Sequence, residues 1–187
     1  MRLIQTIVLA LTGLAFSGPA RAQMIDGANN LAPYVPSPQV VVERMLEAAG
    51  LKPGEMLYDL GAGDGRVVIT AAQKFKARAV GVELSPELCK RAAAQVKALG
   101  LSDQVSIIHA DLLTVDLRPA DVVTLYLLTS SNDRLKPNLE KYLKPGARVV
   151  SHDFVIRGWK PARTEHVESG SRIHKIYVYQ ISEKLKP

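Results

Sequence analysis

Leu57-Tyr58-Asp59-Leu60-Gly61-Ala62-Gly63-Asp64-Gly65-Arg66 is the stretch on which the fold of this chain turns. A short apolar run ends in an acid, a glycine-rich turn follows, and a helix begins near Arg66. Glycines permit the tight turn and let backbone N–H groups close on a ligand, while the helix N-terminus faces it. The next acid at the end of an apolar run is Glu83, in Ala79-Val80-Gly81-Val82-Glu83. A carboxylate there suits the two hydroxyls of a ribose. Together the two signals predict a domain that binds a nucleoside-containing cofactor.

A dinucleotide fingerprint would read G-x-G-x-x-G, its third glycine letting helix and strand pack closely. Gly61 and Gly63 fit that pattern, but the third position holds Arg66 and the glycine falls one residue early, at Gly65. Asp59 stands two residues before the first glycine. An acid there faces a pyrophosphate badly and suits a cationic amino-acid moiety.

Outward from this stretch the chain alternates strands and helices. Ser37-Pro38 reads as an N-cap followed by proline at the first helical position, opening a helix over Gln39–Ala49. Strands are expected at Met56–Leu60, Arg78–Glu83, Val105–His109, Asp121–Leu127 and Arg148–Phe154. Helices are expected at Arg66–Phe75, after Ser85-Pro86, and over Asn132–Leu143. In the second of these Leu88, Ala92, Val96 and Leu99 make the buried stripe, and in the last Pro137 marks a late start or a kink. Thr164–Glu168 and Ile173–Ile181 around Ser169-Gly170-Ser171 read as an antiparallel hairpin. The alternation predicts an α/β domain with a mostly parallel sheet, right-handed crossovers and a C-terminal antiparallel hairpin.

The 187 residues suffice for one domain with a sizeable core, and 47% hydrophobic against 22% charged residues makes it globular. The net charge of +6 is spread among acids rather than gathered in runs, which argues against a nucleic-acid surface. The single cysteine, Cys89, excludes an internal disulfide and reads as a packed thiol. His109, His152, His166 and His174 show no helical ligand spacing, so no metal site is expected. Residues 1–22 look like a secretory signal peptide: Arg2, an apolar run, then Ala20-Arg21-Ala22 as the cleavage site. That implies a periplasmic or exported protein. The rival readings are a retained inner-membrane anchor, which brings membrane proximity, and a true start at Met24, which makes the protein cytoplasmic. Residues 23–36 are polar and then proline-rich, an extended lead segment ahead of the domain at 37–187.

The stretch Asp59–Gly65 resembles motif I of the class I S-adenosylmethionine (SAM) methyltransferases, and the resemblance extends through Glu83 and Asp111. It implies the Rossmann-like seven-stranded sheet of that family and SAM as cofactor. It also implies the roles. Asp59 and Gly61-Ala62-Gly63 cradle the amino-acid end. Glu83 takes the ribose hydroxyls, Leu84 lies against the adenine, Asp111 accepts from the adenine amino group, and the Leu112 N–H donates to the ring. The Asn/Asp-Pro-Pro-aromatic motif of the amino-methylating nucleic-acid enzymes is absent at Tyr126–Asn132, and Cys89 lies outside the place of a cytosine-C5 nucleophile. Pro33–Pro36, Asp59–Arg66, Gly81–Glu83 and the late pair Trp159 and Pro161 are similar to the small protein-lysine methyltransferases, archaeal and mitochondrial. The mitochondrial ones act on the ATP synthase c-subunit and the adenine nucleotide translocase. That likeness implies a protein partner with an acceptor lysine, and Tyr34, Tyr126 and Trp159 are the candidate walls of its channel. No catalytic base is legible. A small-molecule methyltransferase and an exported, non-catalytic domain of the same fold are the competing readings.

Overall fold

The structure is a computed structural model that describes residues 34–182. The expected signal peptide or anchor, and the lead segment up to Pro33, lie outside the described residues. In chain order the elements are α1 (Gln39–Ala48), β1 (Met56–Leu60), α2 (Arg66–Phe75), β2 (Arg78–Glu83), α3 (Pro86–Ala98) and β3 (Val105–His109), then a 3₁₀ turn at Leu112–Thr114. They continue with β4 (Val122–Leu125), α4 (Thr129–Tyr142), β5 (Arg148–His152), β6 (Arg163–Ser169) and β7 (Arg172–Gln180). One seven-stranded sheet runs β3-β2-β1-β4-β5-β7-β6. Its first five strands pair in parallel, and β7 enters antiparallel between β5 and β6. The expected fold class is thus the observed one. Among the described residues no helix is long and apolar enough to cross a membrane.

The period of two along each strand splits the core into two layers. Leu57, Ala79, Val122, Val150 and Val178 face α1 and α2 in one cluster. Their neighbours Tyr58, Val80, Val123, Val149 and Tyr179 face α4 and its Leu135, Leu139 and Leu143 in the other. Both faces of β1 and β4 are therefore buried, which is why these strands read as continuous apolar runs. The reversal of strand order falls between β1 and β4, and a ligand crevice opens at such a switch point, beyond the carboxyl ends of the strands.

Five local expectations need correction. Strand β4 ends at Leu125 rather than Leu127, because Tyr126-Leu127-Leu128 leave the sheet and the Leu128 carbonyl accepts from the N–H groups of Ser131 and Asn132. Helix α4 consequently starts at Thr129, before Asn132, and runs through Pro137. Strand β5 stops at His152 rather than Phe154, because Asp153 adopts a left-handed φ of 60° and turns the chain. In α3 Leu99 is exposed, and Leu101 beyond the helix is buried in its place. Ser37 does not cap α1: Pro38 is the cap residue, with its carbonyl accepting from Val41 and Val42. The Ser37 hydroxyl instead reaches His152. Cys89 is a buried thiol, as expected, with Sγ against the Glu83 carbonyl.

Candidate active site

A cavity opens at the carboxyl ends of β1, β2 and β4. It is lined by Asp59, the turn Gly61-Ala62-Gly63-Asp64, Arg66, Glu83, Leu84, Leu112, Tyr126 and Leu127, and roofed by Tyr34–Ser37. Seven of the eight residues expected at the cofactor, all but Asp111, lie on its wall. Asp111 sits beside it, where its Oδ1 accepts from Leu113 N–H and starts the 3₁₀ turn.

The glycine turn is shaped by what approaches it. A Cβ on Gly63, whose φ is 56°, would lie 2.6 Å from the Tyr34 ring. A Cβ on Gly81, in the middle of β2, would lie 2.9 Å from both Ala62 Cβ and Ile107 Cδ1. Only glycine at 81 lets the turn settle on the sheet. Glu83 ties the turn to α3: Oε2 accepts from Gly63 N–H at 2.8 Å and Oε1 from Ser85 N–H at 2.9 Å. Each carboxylate oxygen keeps a further lone pair for a hydroxyl.

Asp59 is buried, and its Oδ1 accepts from the Thr124 hydroxyl at 2.7 Å. Desolvation pushes its carboxyl up to about 7; the Thr124 hydrogen bond opposes this, and Glu83 and Asp64 add to it. The wall carries three acids, Asp59, Asp64 and Glu83, against one base, Arg66, so it is electronegative once Asp59 is ionised. A ligand with cationic groups relieves that field, and a pyrophosphate would sharpen it.

Sequence reasoning assigned no part in the site to Asp64 or Arg66, and read Ser37 only as a helix cap. Arg66 holds Asp64 through Nε at 2.9 Å and NH2 at 2.6 Å, and its NH1 donates to the Ser37 carbonyl at 2.6 Å. Burial first, then Asp64, raises the Tyr34 hydroxyl. The Asp-Gly-Arg tail of the motif therefore clamps the lead segment over the cavity. The signal was present in the sequence as Asp64-Gly65-Arg66, without a partner to give it meaning.

Tyr126 lines the cavity and stacks on His152 with ring centroids 3.8 Å apart. The structure does not bring Trp159 to this cavity. Its indole packs edge-on against Tyr179 at 5.6 Å and donates Nε1–H to Glu140 at 2.9 Å. Near Tyr126 the structure instead gathers His152, Asp153 and His174, a grouping that sequence spacing did not disclose.

The sequence pattern of the ANTKMT methyltransferase domain matches residues 59–163, from the acid of β1 to the start of β6. The chain belongs to the ANTKMT methyltransferase family. It is 49% identical over 152 residues to a protein-lysine N-methyltransferase of Saccharolobus islandicus, covering 81% of this chain and 94% of that one. It is 34% identical to the mouse adenine nucleotide translocase lysine N-methyltransferase, where the match covers 80% of this chain and 63% of the relative. A crystal structure described as an RNA methyltransferase from Salinibacter ruber, in complex with S-adenosyl-L-homocysteine, superposes with a TM-score of 0.75. Its identity is 46%, with 80% of this chain and 95% of that one covered. This ANTKMT-family chain is a SAM-dependent methyltransferase, and the cavity fits its cofactor. Its wall carries carboxylates suited to a sulfonium and an ammonium, while Gly61 and Ala62 N–H already donate to the Val82 carbonyl and Gly63 N–H to Glu83.

Proposed function

We propose that this chain transfers the methyl group of SAM to the side-chain amine of a protein lysine. The observation that supports this most is the 49% identity to an archaeal protein-lysine N-methyltransferase over 94% of its length. The lead segment adds to it: Tyr34–Ser37 roof the cavity beside Tyr126.

In this reading Asp59 receives the cofactor's ammonium, and the turn Gly61–Gly63 cradles the amino-acid end. Glu83 receives the ribose hydroxyls, and Leu84 and the Leu112 N–H receive the adenine. Asp111, one oxygen of which starts the 3₁₀ turn, offers a second to the adenine amino group. Bound SAM supplies an electrophilic methyl carbon on a sulfonium. The chain's own residues align the acceptor, exclude water and free its lone pair. A lysine in water, with a pKa near 10.4, is neutral in roughly one molecule in 10³ to 10⁴ at neutral pH. Tyr34 and Tyr126 form the walls that desolvate it, which lowers that pKa.

A second reading, an RNA acceptor, rests on the description of the Salinibacter ruber relative. The test offers tritiated SAM and the purified protein a heat-denatured bacterial protein extract and, separately, total RNA. Label recovered as methyl-lysine after hydrolysis is the expected result. Label confined to RNA would replace the lysine reading with the second. We also read residues 1–22 as a targeting or anchoring segment; the intact mass of the protein from soluble and membrane fractions tests that.

A further inference from the structure

We propose that Ser37, His152, His174 and Asp153 form a proton relay that takes the proton of the acceptor ammonium and holds it away from the cofactor cavity during methyl transfer. The inference rests on the lysine reading above, because a lysine arrives protonated and must present a lone pair. Ser37 stands on the cavity wall, with its Oγ 2.9 Å from Nδ1 of His152. Nε2 of the same ring lies 2.8 Å from Nδ1 of His174 and 3.4 Å from Oδ2 of Asp153. Nδ1 of His174 is 3.3 Å from that same oxygen. Arg172 donates to Oδ2 at 2.7 Å, and Lys175 N–H holds Oδ1 at 2.8 Å. The chain of polar atoms is continuous from the cavity to a carboxylate whose side chain is 11% exposed.

Packing alone does not account for it. His152 is fully buried and His174 nearly so, and a polar ring in such a place costs stability that an aliphatic side chain would not. Asp153 holds a left-handed backbone, φ 60°, which costs an L-residue about 1–2 kcal/mol and places its carboxylate on both imidazoles. Tyr126 lies flat on His152 and shields it. Burial drives the His152 imidazole down to about 4; Asp153 opposes this, while His174 and Arg172 add to it. The ring is neutral at physiological pH and passes a proton without keeping it. The charged and titratable groups around the path are Asp153, His174, Arg172 and Tyr126. On the Ser37 side they are Arg66, Asp64 and Tyr34. Arg172 already gives Asp153 a fixed cation, so the cluster is compensated without a bound ion.

In the ready state Ser37 O–H donates to His152 Nδ1, and His152 Nε2–H donates to His174 Nδ1. The ammonium passes a proton to Ser37 Oγ as the serine proton moves to His152 Nδ1 and the Nε2 proton moves to His174 Nδ1. Three N–H or O–H bonds break and three form. The acceptor keeps its electron pair as a neutral amine, and His174 becomes an imidazolium beside the Asp153 carboxylate. Asp153 holds the imidazolium while the methyl group moves; when the methylated product leaves, the three hops run in reverse and Ser37 Oγ gives the proton to water entering the cavity, which restores both imidazole tautomers.

The test measures initial rates of methyl transfer to the denatured protein extract from about pH 6.5 to about pH 10.5. The proteins are the full chain, Ser37→Ala, His174→Gln and the double variant. Each single variant is expected to lose on the order of 10²-fold near pH 7. The deficit narrows toward the alkaline end, where the lysine sheds its proton unaided. The double variant is no slower than the slower single one, because both cut one path. SAM affinity of His174→Gln, read by calorimetry, is unchanged, and Ser37→Thr restores the rate. A deficit equal at every pH, additive losses, or full rates in both single variants would overturn the path alone. Wild-type protein that binds SAM yet forms no methyl-lysine at any pH would overturn the lysine reading and, with it, the path.

Discussion

Asp59→Asn is expected to stabilise the empty protein and to abolish cofactor binding. The folded state holds the Asp59 proton up to about pH 7, whereas an unfolded chain releases it near 3.9. Between those values the folded state binds more protons than the unfolded one. Stability therefore falls as pH rises through this window, and the whole cost is present above about pH 7. Three decades of pH correspond to about 4 kcal/mol. Asparagine keeps an oxygen for the Thr124 hydroxyl and has no charge to desolvate, but its N–H groups need partners at about 1 kcal/mol or more. The expected net gain at pH 8 is about 2–3 kcal/mol, or roughly 5–10 °C in Tm for a domain of this size. At pH 4 the two proteins should be equally stable to within about 1 kcal/mol. The same carboxylate must be ionised to meet the cofactor's ammonium, so wild-type affinity for SAM should weaken about tenfold for each pH unit below 7. Urea unfolding at the two pH values, with calorimetric titration of SAM across the range, reads both effects. Equal stability gains at pH 4 and pH 8, or retained SAM affinity in Asp59→Asn, would refute the assignment of a charge held there at a cost for the cofactor.

Glu83→Ala removes the acceptor of the Gly63 and Ser85 N–H groups; SAM affinity by calorimetry should fall about 10- to 100-fold, the worth of a charged hydrogen bond, with the far-UV spectrum unchanged. Gly81→Ala forces a Cβ to 2.9 Å from Ala62 and Ile107; the expected loss is about 1–3 kcal/mol in urea unfolding, with weaker SAM binding because Ala62 belongs to the turn. Trp159→Phe deletes the hydrogen bond to Glu140 away from the cavity; about 1 kcal/mol of stability should be lost while the methyl-transfer rate holds.

The half of the site made by β1, β2 and their turns was legible because its signals are local. Asp59, the glycines and Glu83 lie at strand ends marked by an abrupt change from apolar residues to turn residues. The other half was not, and the reasons are specific. Tyr126–Ser131 contains no glycine or proline, so nothing in it marks where β4 stops and α4 starts. Ser37 precedes a proline and reads as a cap, yet a residue 115 positions away takes its hydroxyl. His152 and His174 meet only through the antiparallel register that sets His152 opposite Ile176, a pairing that no spacing along the chain encodes. Trp159, the lone tryptophan, drew attention by rarity, but its indole fills the core beneath α4.

The clamp over the cavity also fixes an order of assembly. Tyr34–Ser37 leave the ribosome ahead of every strand. Their anchors are Arg66 and, far later, His152. Helix α1, which follows directly, rests in part on β6 and β7, where Arg163 donates to the Ala48 carbonyl. The first of the described segments to be made thus waits for some of the last to complete its contacts, a closure that spans nearly the whole domain. A nascent chain can make the Arg66 half of the clamp early, but the His152 half waits for β5 and the full seating of α1 for β6 and β7, so the clamp is complete only in a fully made domain.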